Sequence, residues 1–176
     1  AILKAHFGKE TPMLTDTAAR QPRRLAAPRT RKGKSRPYAG LFAASKLDRI
    51  GIVKTGLPAR VLTTLADDMH VTRECLYRWL GIARATANRK VKADEVLSQD
   101  ESERALGLAR LIGLVEKIVA ESGEPAGFDA AQWTAVWLER PNKALGGKAP
   151  GEFMDTADGR ALVAGLVAQM QSGAYA

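Results

Sequence analysis

"TRECLYRWLGIARATANRKVK", Thr72 to Lys92, reads as helix, turn and helix. Thr72 suits an N-cap, because its hydroxyl can accept a bond from a free N–H of the first turn. Cys75, Leu76, Trp79 and Leu80 fall on one face of the first helix, and Gly81 breaks it. Leu76, Leu80, Ile82 and Ala87 stand where a helix-turn-helix needs apolar or small residues around a glycine turn. Two positions depart from that pattern: Tyr77 takes the place of a small residue and Lys90 that of an apolar one. The second helix, predicted over about 84–90, offers Arg84, Thr86, Asn88 and Arg89. These are donors that reach phosphates and base edges, Arg to guanine and Asn to adenine. Arg78, Lys90 and Lys92 extend this set of candidate DNA contacts. Segment 73–92 holds six basic residues against Glu74, a net of +5. A solvated polar helix is the alternative reading.

The charge around this stretch is uneven. Residues 1–40 carry ten Lys/Arg against two acids, which equals the whole formal excess of +8. With prolines at 12, 22, 28 and 37 and no helical period, they are predicted to form a flexible basic arm suited to a DNA backbone or minor groove. Residues 93–176 carry seven basic and thirteen acidic residues, a net of −6. Such asymmetry points to nucleic acid at one end and a different partner at the other.

Outward from the quoted stretch the periods are helical. Leu47, Ile50 and Val53/Lys54 follow a 3.6 period up to Gly56; Pro58 suits a first helical position, followed by the stripe Val61, Leu62, Leu65 and Met69. Downstream, Ser98-Gln-Asp-Glu101 is a capping box opening a helix over about 98–122. Its stripe runs from Ala105 through Leu108, Leu111/Ile112 and Val115 to Ile118/Val119, with Gly107 and Gly113 leaving room for a close neighbour. Asp129-x-x-Gln132 opens a helix with Trp133 and Trp137 one turn apart, both expected in the core. Thr156 caps a last helix carrying Leu162, Val163, Leu166, Val167 and Met170. No alternating strand pattern occurs, so the expected class is all-α.

Several classes drop out. Apolar residues make up 45% of 176, enough for a core, yet no run reaches the roughly eighteen residues of a membrane span. A single cysteine, Cys75, cannot form an intramolecular disulfide or a cysteine zinc site. His6 and His70 lie far apart and have no serine or cysteine partner at a recognisable spacing; Asp67 and Asp68 beside His70 read as the polar end of a helix. No metal, no cofactor and no catalysis are expected, and the chain is expected in the cytoplasm. Gly146-Gly147-Lys148 is no phosphate-binding P-loop, since Asn142 and Ala149 stand where that motif needs Gly and Ser/Thr.

The loop Arg140–Arg160 instead combines two prolines and a double glycine within eleven residues. Prolines fix φ and glycines permit tight turns, so much of the ordering entropy is removed before a partner arrives. Gly147, Pro150 and Thr156 read as a structural corner, and Asn142, Lys143, Lys148 and Arg160 as polar contacts beside it.

The spacing Trp137-Leu138-x-x-Pro141-Asn142-x-Ala144-Leu145-Gly146-Gly147-x-x-Pro150-x-Glu152-x-x-Asp155-Thr156-x-x-Gly159-Arg160-x-x-Val163 resembles the C-terminal signature of the Xre/MbcA/ParS-type antitoxins. The likeness extends upstream through the degenerate helix-turn-helix, over about 57–172; the basic arm lies outside it. After the arm at 1–40, which charge and composition define, the resemblance implies an Xre-like helix-turn-helix domain at 41–97 and a helical toxin-binding domain at 98–176. It implies a RES-domain, NAD-consuming toxin as partner, neutralised by covering its active-site region, with operator DNA as a second partner. A homodimer or a larger toxin–antitoxin assembly is expected. The candidate toxin-binding residues are Asn142, Lys143, Leu145, Gly146, Gly147, Lys148 and Arg160, with Tyr175 in the tail as a further candidate. The rival reading is a free-standing repressor whose C-terminal helices only dimerise.

Overall fold

A computed structural model describes residues 38–123 and 127–172. The arm at 1–40, apart from its last three residues, and Tyr175 lie outside them. The described chain forms eight α-helices: α1 Tyr38–Ala43, α2 Lys46–Thr55, α3 Arg60–Met69, α4 Arg73–Leu80, α5 Arg84–Lys92, α6 Gln99–Glu121, α7 Ala130–Leu138 and α8 Ala157–Ser172. Two short 3₁₀ turns, Lys143–Leu145 and Pro150–Phe153, join α7 to α8. The fold is all-α: beyond one isolated bridge, Pro58 with Val96, no β-pairing occurs among the described residues. No helix among them is long and apolar enough to cross a membrane.

The long helix α6 is the axis of the fold. Both halves of the Ser98/Glu101 capping box form: the Ser98 hydroxyl accepts from Glu101 N at 3.2 Å, and Glu101 accepts from Ser98 N at 2.7 Å. Its predicted stripe is buried throughout, from Ala105 to Val119. Helices α1, α2, α7 and α8 all pack on it, and α3 and α4 touch it. At Gly113 the backbone of α1 comes so close that an added Cβ would collide with the Tyr38 carbonyl oxygen. Tyr38 holds this approach by donating its hydroxyl to Asp68 at 2.7 Å, and Ala39 N donates to Glu116 at 2.7 Å.

Three expectations change. The apolar period around Leu47 does not point inward: Leu47 is 79% and Ile50 50% exposed, and α2 has no buried residue. Of that period Val53 alone turns partly inward, and Arg49 and Ile52 do so beside it. A separate helix, α1, precedes α2, and the Ser45 hydroxyl starts α2 by accepting from Asp48 N at 3.1 Å. Pro58 stands before α3, not at its first position. Its flanking residues pair with 95–97, Leu97 N donating to Leu57 O at 2.8 Å and Ala59 N to Glu95 O at 2.9 Å. Proline fits between them because the bridge needs no N–H from it. On α8, Leu162 is exposed, while Val163, Leu166, Val167 and Met170 are buried as predicted.

Candidate partner interfaces

The corner between α7 and α8 is organised by Asn142. Its side-chain oxygen accepts from Ala144 N at 2.9 Å, and its carbonyl accepts from Leu145 N at 3.0 Å and Gly147 N at 2.9 Å. Its own N–H donates to Lys148 O at 3.0 Å, closing a ring around 142–148. Gly146 at φ +66 and Gly147 at φ +84 lie in the left-handed region, and among the described residues nothing stands within 4 Å of an added Cβ at either. A side chain there meets backbone strain and no obstacle. Leu145 points inward and is buried, so Lys143, Ala144, Gly146, Gly147 and Lys148 form the exposed crest. Asn142 is half-buried beneath them.

The second half of the corner is a packed joint. Pro150 and Gly151 are buried; an added Cβ at Gly151 would lie 2.5 Å from Trp79 Nε1 and 3.0 Å from the Leu138 carbonyl oxygen. Glu152 accepts from Ala149 N at 2.9 Å, and the Thr156 hydroxyl accepts from Gly159 N at 3.1 Å to start α8. Arg160 is turned into the chain: its side chain is only 12% exposed. It donates to Met154 O at 3.2 Å and Glu103 Oε1 at 3.1 Å, and it lies over Gly107, 2.6 Å from where a Cβ would be. Gly107 therefore makes room for a side chain, not for a helix backbone. Trp133 and Trp137 are buried and stack at 6.0 Å with an interplanar angle of 9°.

The helix-turn-helix face is built differently. The Thr72 hydroxyl caps α4 by accepting from Cys75 N at 3.2 Å. The two departures from the pattern each have a partner that explains them. Tyr77 is buried and donates its hydroxyl to Asn88 Oδ1 at 3.2 Å. Lys90, 13% exposed at its side chain, pairs at 2.5 Å with Glu101, 11% exposed, and so ties α5 to the start of α6. Burial works against the Glu101 carboxylate, but the Lys90 ammonium and the Ser98 N–H outweigh it and hold its carboxyl below the usual value of 4.5. Most other cations here also face an acid: Arg84 pairs with Glu74 at 3.2 Å, Arg78 with Glu139 at 2.8 Å, and Arg89 with Glu95. Arg78, Arg84, Asn88, Arg89 and Lys92 are exposed, and Thr86 is half-buried.

One junction escaped the sequence reading. Glu139 Oε1, just past α7, accepts from Trp79 Nε1 at 2.7 Å and Arg78 Nη2 at 2.8 Å, with Cys75 Sγ at 3.6 Å. Burial first, and then the Glu139 carboxylate, push the Cys75 thiol up. The residues lie about 60 apart in sequence, and nothing local in Glu139 announces the contact.

Two family models match the chain. The antitoxin Xre-like helix-turn-helix domain matches residues 48–110, and the antitoxin Xre/MbcA/ParS C-terminal toxin-binding domain matches 126–173. The first match runs into α6, and the second contains α7, the corner and α8. A relative from Sphingobium sp. (strain YBL2), named a Prs ADP-ribosylating antitoxin, is 43% identical over 151 residues, covering 84% of this chain and 95% of the relative. With its helix-turn-helix and its toxin-binding segment both matched, the chain belongs to the Xre/MbcA/ParS-type antitoxins.

Proposed function

We propose that this antitoxin neutralises a RES-domain, NAD-consuming toxin by seating the crest of its 142–148 corner on the toxin's active-site region. The observation that carries this reading is the exposed, backbone-locked crest at Lys143–Lys148, inside the segment matched as toxin-binding. A surface held by its own hydrogen bonds loses little entropy on docking. Lys143 and Lys148 are the side chains that meet the partner; Asn142, Leu145, Gly146 and Gly147 shape the crest, and Arg160 fixes the α8 end of the corner from inside. The name of the relative includes ADP-ribosylation, chemistry that draws ADP-ribose from NAD, which favours a toxin of the NAD-consuming class. Exposed Glu152, Asp155 and Asp158 flank the corner and suit a toxin pocket lined by arginines that hold a pyrophosphate.

In this reading the chain is a stoichiometric inhibitor without catalysis or cofactor, acting in the cytoplasm, and 98–176 is its toxin-binding part. The 41–97 part, with the basic arm, binds operator DNA through Arg78, Arg84, Thr86, Asn88, Arg89 and Lys92 and represses its own operon, with two or more copies per assembly. Lys90 acts by holding α5 on α6. Exposed ion pairs contribute little to stability, so Arg84 and Arg89 can exchange a glutamate for a phosphate at small cost. Co-expression with a RES-type enzyme encoded in the adjacent reading frame tests the proposal. The two proteins should co-purify, and cellular NAD and growth should recover. Separate elution with persistent NAD loss overturns it.

A further inference from the structure

A groove of about 640 Å³ runs along α6 between α2 and α8. It contains no residue of the 142–148 crest and none of α4 or α5. Leu106, Leu111 and Leu114 of α6 form its apolar floor, Arg160 lies across Gly107 at one side, and Ala161 and Ala164 are small enough to keep it open. The α6 lining runs from Gln99 to Leu114, about 22 Å at 1.5 Å per residue. On the α2 side Ile50 lines the groove at 50% exposure, and the more exposed Leu47 continues the apolar edge beyond it.

The groove is cationic. Lys46, Arg49 and Lys54 of α2 and Arg110 of α6 face it, and none of the four pairs with an acid among the described residues. Arg110 Nε is buried with no hydrogen-bond partner among the described residues. Burial, then the neighbouring Arg49 guanidinium, push the pKa of Arg110 down. The acid in the lining, Glu103, is engaged by Arg160. Arg49 donates to the Ala44 carbonyl and the two lysines are solvated, so the charge that stays costly until an anion enters is that of Arg110.

We propose that this groove docks an amphipathic helix of a protein partner, with its apolar face on Leu106, Leu111 and Leu114 and its acidic flank against Arg49, Arg110 and the two lysines of α2. The length suits three to four helical turns, and the α6 lining repeats at helical spacing, as helix-in-groove recognition requires. The open side and the exposed apolar edge at Leu47 and Ile50 favour a macromolecular segment over an enclosed small ligand.

The test uses the full chain and a fluorescein-labelled 18-residue helical peptide, with leucines on one face and glutamates on both flanks, beside a twin in which every Glu is Gln. By anisotropy at low salt the acidic peptide should bind at least tenfold more tightly than its neutral twin. Ile50→Ser, and separately Lys46→Gln with Lys54→Gln, alter exposed side chains; each should weaken binding at least fivefold without changing the melting temperature. Arg110→Gln should weaken binding as much while leaving the chain at least as stable, since it removes a buried uncompensated charge, and Lys143→Ala in the corner should bind like the parent. Equal binding of the two peptides, or parental binding by all these variants, overturns the proposal. So does 1-anilinonaphthalene-8-sulfonate binding once per chain without competition from the peptide, which would assign the groove to a small amphipathic anion. A change in sedimentation mass on Ile50→Ser with peptide binding absent would assign it to a second copy, and overturns the proposal as well.

Discussion

The corner at 140–160 and the helix-turn-helix face at 72–92 meet where Trp79 packs on Gly151 and donates to Glu139 just before the corner, yet they are held in shape by different means. The corner is a backbone object: Asn142 ties its ring through main-chain bonds, and Gly146, Gly147 and Gly151 stand where a side chain is strained or blocked. The helix-turn-helix face is a side-chain object, with Tyr77 on Asn88, Lys90 on Glu101, and surface arginines paired to glutamates. A main-chain ring presents one shape whatever the salt or pH, which suits a protein partner. Exposed ion pairs exchange partners readily, which suits phosphates.

The largest expected effect breaks the corner from within. Gly151→Ala forces a Cβ against Trp79 and the Leu138 carbonyl, and should cost about 1–3 kcal/mol, as overpacking does. A parental urea midpoint would show that the joint yields and that the corner is not rigid. Next, Gly146→Val should cost roughly 1–2 kcal/mol in the free protein, because φ is +66 and no neighbour stands in the way. Gly146→Asn, which tolerates left-handed backbone, should lose much less. Equal melting temperatures for the two variants would remove strain as the cause.

A smaller effect sharpens the other side of the comparison. The folded Glu101 carboxyl lies below its ordinary value of 4.5, so the folded chain binds that proton less tightly than the unfolded chain. Its contribution is full above that value and is lost as pH falls below it, through the folded pKa. Glu101→Gln keeps a residue able to close the capping box while removing the charge. Its urea midpoint should depend less on pH below about 4.5 than the parent's; parallel profiles would show that the Lys90–Glu101 pair is not the titrating element. The smallest stability effect is expected for Arg84→Ala with Arg89→Ala, under about 1 kcal/mol with helicity unchanged. Operator binding should weaken, and its log–log salt slope should fall by about 0.9 for each phosphate that the variant no longer neutralises. An unchanged slope would remove these arginines from the DNA face.

What the sequence disclosed was local. Thr72, Ser98, Asp129 and Thr156 each cap a helix through a bond to a residue three positions away, a distance a sequence motif spans. The stripe of α6 was legible because its inner face is surrounded by other helices. The period of α2 was equally regular but only its end, Val53, turns inward: Leu47 and Ile50 repeat at the same spacing and stay exposed, and packing on α6 brings Ile52 in beside Val53. Arg160 looked like a surface contact because its partner Glu103 lies 57 residues away. Glu139 and Arg110 were missed for the same reason; their meaning comes from Trp79 and Arg49, brought near by tertiary packing.

Whether the exposed lysines of the corner contact the toxin is decided by calorimetric titration of the purified toxin with the full-length Lys143→Glu/Lys148→Glu variant. Both side chains are exposed and unpaired among the described residues, so the variant should melt like the parent. If they lie at the centre of the interface, affinity should fall at least about thirtyfold, the scale of a 2 kcal/mol hot spot, while operator binding is retained. Parental toxin affinity in a folded variant would contradict the account and move the interface away from the 142–148 crest.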